Sequence, residues 1–69
     1  MTDRDLAQAL LVAQALERTM REYVKTEDLA ERDAATNVLR LAIPLRQKLE
    51  TWVSLRTLRA QMQPASAVK

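Results

Sequence analysis

The sequence predicts an all-α fold: an antiparallel helical hairpin with a Pro-kinked second helix, dimerising into a helical bundle. Three observations carry this. The 69 residues include no Gly, and turn-rich β architectures draw on Gly for positive φ. Ala, Leu, Arg, Gln and Glu dominate, and all are strong helix formers. Apolar residues recur at three- and four-residue spacing along two long segments, the period of an amphipathic helix. The predicted organisation is one helical domain over residues 1–63 and a flexible C-terminal tail over 64–69.

The first helix is predicted from about Asp3 to about Lys25. Thr2 is its N-cap, with Asp5 three residues on at the capping-box position and Asp3 adding negative charge to the first turn. Leu6, Ala9, Leu10, Ala13, Leu16, Met20, Tyr23 and Val24 form its apolar face. Leu11 points away from that face, flanked by Ala7, Ala15 and Arg18. The turn falls within residues 25–34 and, lacking Gly, is built from Thr, Asp or Asn chemistry.

The second helix begins near Asp33 or earlier. Ala35, Val38, Leu39, Ala42, Leu45, Leu49, Trp52 and Val53 form its apolar face, with Leu41 and Leu55 at the edge. Pro44 lies inside this pattern, where a proline removes a hydrogen bond and clashes with the carbonyl four residues back, at Arg40. The stripe keeps its phase from Val38 through Leu45 to Trp52, which favours a kink over a break. After Val53 the pattern changes: Arg56 and Arg59 take core-line positions, while Leu55, Leu58 and Met62 form a strip rotated to one side. Pro64 is the predicted end of the helix.

The apolar arc of the second helix runs from Leu39 through Val38 and Leu45 to Leu41, nearly half the circumference. One partner helix covers only part of such an arc, so a second chain is expected against it. Chain length points the same way. A domain this short buries only roughly 60% of its unfolded surface and usually needs a staple. With no Cys and no His, disulfides and ordinary zinc sites are excluded, and oligomerisation is left. The expected dimer and core residues are Leu6, Leu10, Leu16, Met20, Val38, Leu45, Leu49 and Trp52.

Catalytic equipment is sparse. There is no His for acid–base work, no Cys nucleophile and no Gly-rich phosphate loop. No catalytic residue, cofactor site or metal site is expected. No apolar run approaches the ~20 residues of a membrane span, and the first residues lack the layout of a signal peptide. The expectation is a cytoplasmic protein with no membrane partner.

Charge is uneven. Residues 1–37 carry five basic and eight acidic side chains; residues 38–69 carry six basic and one acidic. The basic members of the second half are Arg40, Arg46, Lys48, Arg56, Arg59 and Lys69. On a helical wheel they form no single stripe, whereas phosphate recognition favours a clustered basic face. Arg beside apolar anchors suits a protein interface instead. The expected partner-binding surface is therefore Arg40, Arg46, Leu55, Arg56, Leu58, Arg59 and Met62. Arg56 follows Trp52 by four residues, so it must reach the rim, pair with an acid or meet a partner.

In length, helix pair and expected dimerisation, residues 3–62 resemble the small helical anti-activators encoded by phages, plasmids and bacteria. These include anti-quorum-sensing proteins that bind LuxR-type regulators. The same features resemble the Rop type of RNA-binding hairpin dimer. The first resemblance implies a protein-binding inhibitor or adaptor that sequesters a transcription regulator or another host protein. The second implies a nucleic-acid-binding dimer using the basic half.

Overall fold

The structure, a computed structural model, describes the backbone of residues 1–67 and the side chains of residues 1–62. It consists of two α-helices, α1 (Asp3–Tyr23) and α2 (Leu29–Ala67), packed antiparallel as a hairpin. Thr2 caps α1 as the sequence predicts: its backbone is extended and its Oγ1 accepts from Asp5 N at 3.1 Å. Asp3 and Asp5 place negative charge at the positive end of the helix dipole.

The turn is tighter and earlier than its sequence window. Lys25 N donates to the Glu22 carbonyl at 3.1 Å and Thr26 N to the Tyr23 carbonyl at 3.0 Å, closing the end of α1. Asp28 then starts α2. Its Oδ1 accepts from Ala30 N at 3.0 Å and Glu31 N at 3.2 Å, satisfying two of the otherwise unpaired amides. Thr26 fastens both sides: its Oγ1 accepts from Asp28 N at 3.3 Å and its carbonyl accepts from Arg32 Nε and Nη2 at 3.1 and 2.9 Å. No described residue has a positive φ, so the reversal works without Gly.

α2 runs continuously through Pro44, which excludes two separate helices there. Nor does Pro64 end it: the helical backbone extends to Ala67. A proline's fixed φ is compatible with helix, and its penalty is local, one missing amide hydrogen bond and a crowded carbonyl a turn back. The expected tail, 64–69, otherwise falls on side chains and residues outside those described.

The hairpin measures 62 × 16 × 15 Å, with a radius of gyration of 17.0 Å; a compact domain of this length would have a radius near 11 Å. Each helix has one neighbour, so burial is confined to one seam. Leu6, Ala13, Ala35 and Ala42 are the buried apolar side chains among the described residues, and Leu6 is the only large one. The expected core therefore divides. Leu6 is buried and Leu10, Met20 and Leu49 are half-buried, whereas Leu16, Val38, Leu45 and Trp52 are exposed in the single chain.

Candidate functional site

The seam follows a strict alternation of four- and three-residue steps. On α1 it contains Leu6, Leu10, Ala13, Glu17 and Met20, with Val24 at the C-cap; on α2, Ala35, Leu39, Ala42, Arg46, Leu49, Val53 and Arg56. All are buried or half-buried. Ala13, Ala35 and Ala42 are among its most buried residues, and side chains this small permit close packing of two helices.

Among the described residues the one buried charge is Glu17. Its Oε2 accepts from Arg21 Nε and Nη2 at 3.0 and 2.9 Å, and its Oε1 accepts from Arg46 Nε across the seam. Arg46 Nη1 in turn donates to Glu50 Oε1 at 2.8 Å. The hydrogen bond from Arg46, followed by that from Arg21, holds the Glu17 carboxyl below its ordinary value. Arg46 is correspondingly held in its charged form, first by Glu17 and then by Glu50. Such a cluster fixes the register of the two helices, because sliding either one leaves a charge unpaired in the seam. Hydropathy ranked Leu16 and Leu45 as core ahead of Glu17 and Arg46. The signal for Glu17 was its place in the 6, 10, 13, 17, 20, 24 spacing.

Outside the seam lies a second apolar stripe on each helix, displaced by one residue from the first. On α1 it is Ala9, Val12, Leu16 and Tyr23, each one position before a seam residue. On α2 it is Ala34, Val38, Leu41, Leu45, Trp52 and Leu55, again each one position before. One step back turns each stripe by about 100°. Two antiparallel helices that face each other bring the same rotation to the same side of the hairpin. Groove linings agree: Tyr23 and Val38 share one groove with Met20, Glu31 and Ala34. Ala7 and Thr57, each one position after a seam residue, share another with Asp3 and Gln61. One side of the hairpin thus carries an apolar face, interrupted by Thr19 on α1 and Lys48 on α2. Val12 is 67% exposed there, Tyr23 53%, Leu41 74% and Leu45 49%.

α2 also outruns α1. Asp3, at the start of α1, accepts from Arg56 Nη1 at 2.9 Å, and the α2 backbone continues eleven residues beyond Arg56 to Ala67. Arg56 also lies over the Trp52 ring, 5.7 Å from its centroid. Of the expected partner surface, Arg46 and Arg56 are therefore engaged within the hairpin. Leu55, Leu58, Arg59 and Met62 are exposed together toward the far end of α2, and Arg40 is exposed apart from them. The five ion pairs among the described residues do not involve Arg40, Lys48 or Arg59. Lys69 lies outside the described residues.

Leu11 is exposed on the outer side of α1, away from both stripes. Among the described residues no helix is long and apolar enough to cross a membrane. No protein-family model, curated protein or solved structure matches the chain.

Proposed function

We propose that this chain is a small non-catalytic protein-binding inhibitor or adaptor that works as a homodimer. In this reading it sequesters another protein, with a transcription regulator as the model target. The observation that carries the reading is the far end of α2. There Leu58 and Met62, 56% and 71% exposed, flank Arg59 on helix that extends past the start of α1. A projecting helix with apolar anchors around an arginine is built to enter a groove on a partner. The basic half favours nucleic acid less, because Arg46 and Arg56 already spend their charge on Glu17, Glu50 and Asp3.

The test compares wild type with a Leu58→Glu/Met62→Glu variant. Both substitutions lie on exposed positions, so the thermal melt should be unchanged. A host protein retained at fixed stoichiometry by wild type should be lost from the variant, and its retention should survive 0.5 M salt. Equal retention by the variant overturns the site. Retention of nucleic acid that collapses with salt replaces the reading with phosphate binding.

A further inference from the structure

The apolar face runs up to Arg59, where it adjoins the Leu58 and Met62 anchors of the α2 end, and the face carries information about its own occupant. We infer that it is covered by the same face of a second copy, in antiparallel orientation, with the two-fold axis passing at Leu16 and Leu45. This rests on the homodimer reading above and adds the face, the orientation and the register.

The axis is placed by the seam. Glu17 and Arg46 are hydrogen-bonded, so Leu16 and Leu45, each one position before, lie level with each other on the apolar face. The sequence of α2 is complementary to itself about Leu45. Counting outward in stripe positions, Leu41 faces Lys48, Val38 faces Trp52, Ala34 faces Leu55 and Glu31 faces Arg59. Each small residue meets a large one, the Lys48 stem lies along Leu41, and the outermost pair has opposite charge. α1 repeats the pattern about Leu16, where Ala9 meets Tyr23. A parallel pairing would place Trp52 on Trp52, Lys48 on Lys48, Glu31 on Glu31 and Arg59 on Arg59, with like charges facing at three levels.

Area agrees with a second copy. The chain exposes 5590 Å², whereas a folded monomer of 7.9 kDa exposes about 4,400 Å² by the size scaling of single proteins. The excess over two chains is about 2,400 Å², within the range of obligate homodimers. The product is a four-helix bundle with α2 on α2 and α1 on α1.

With no native Cys, disulfide trapping can report the geometry directly. Sedimentation equilibrium of wild type at micromolar concentration should give twice the 7.9 kDa chain mass. An equimolar mixture of Glu31→Cys and Arg59→Cys chains should oxidise to a covalent 31–59 heterodimer, with either variant alone giving little. A charge reversal, Glu31→Arg, should weaken the dimer at least several-fold, and Glu31→Arg/Arg59→Glu should restore it. A dimer that instead cross-links through Glu31→Cys alone keeps the homodimer and overturns the antiparallel register. A monomer at these concentrations overturns the second copy as occupant, and leaves the α2-end reading to its own retention test.

Discussion

The seam and the outer face of this hairpin invert the usual division of labour. Among the described residues, most of what is fully buried between α1 and α2 is small or charged: three alanines and Glu17, with Leu6 the exception. The outer face holds the larger side chains, including Leu16, Tyr23, Val38, Leu45 and Trp52, at 37–53% exposure. Small residues in the seam favour close backbone contact and a defined register, at the cost of apolar area. The large apolar side chains of the outer face then lie where only another molecule can cover them. In the proposed dimer the two regions have separate tasks, with the seam setting geometry and the face driving association.

Leu6→Ala should break this contrast most sharply. Leu6 is 1% exposed and is the only large side chain fully buried among the described residues, so truncation should cost about 2–5 kcal/mol. That loss should appear in urea melts at every protein concentration. Leu41→Ala, at a position 74% exposed, should leave dilute samples nearly unchanged and lower only the concentration-dependent part of the stability. Similar concentration dependence for both variants would remove the distinction between seam and face.

Glu17 sharpens the comparison through pH. Because its folded-state carboxyl titrates below the ordinary 4.5, its contribution is fully present above that value. It should be lost as pH falls through the lower folded-state value. Thermal stability of wild type should therefore fall as pH drops below about 4.5 more steeply than that of Glu17→Gln, which starts lower at neutral pH. Parallel pH profiles for the two proteins would show that the cluster does not anchor the seam.

How much of this was legible in the sequence follows from the same contrast. Both helices, the Thr2 cap and the two-helix topology came from periodicity and capping chemistry, which are local. The Asp28 cap was within the expected window and was obscured by the several Asp and Thr residues around it. What stayed hidden was which of two adjacent stripes each helix turns toward the other. Hydropathy prefers Leu16 to Glu17 and Leu45 to Arg46, yet helix approach prefers the stripe that also holds Ala13, Ala35 and Ala42. The ion cluster completes that choice, and its members sit 29 residues apart, beyond any local pattern. On the candidate surface, the sequence marked Arg56 as needing a partner but could not say that Asp3 supplies one.

Pro44 gives a smaller effect of opposite sign. It is exposed and sits inside continuous helix, facing away from the seam. Pro44→Ala should preserve the helical circular dichroism and raise the melting temperature, with a gain below the roughly 3 kcal/mol that an unrelieved helix-interior proline costs. A loss of stability would mean that the bundle depends on a bend at this point.

The smallest expected effect concerns the end of the seam. The Arg56–Asp3 pair has one well-exposed partner: the Asp3 side chain is 86% exposed and that of Arg56 is 29% exposed. Solvent screening should hold its contribution to about 0–1 kcal/mol. Asp3→Asn isolates that term, since it keeps the side-chain shape beside the Thr2 cap. Arg56→Ala removes in addition the contact over Trp52, worth about 0.5–1 kcal/mol for an exposed cation on an aromatic ring. Both variants should therefore melt slightly below wild type, Arg56→Ala lower than Asp3→Asn, and both should retain the partner protein. Arg59→Ala should behave in the opposite way, with an unchanged melt of the dilute hairpin and weakened association. If Arg56→Ala abolished partner retention while Asp3→Asn left it intact, Arg56 would belong to the binding surface, and its pairing with Asp3 would be the contact exchanged when the partner docks.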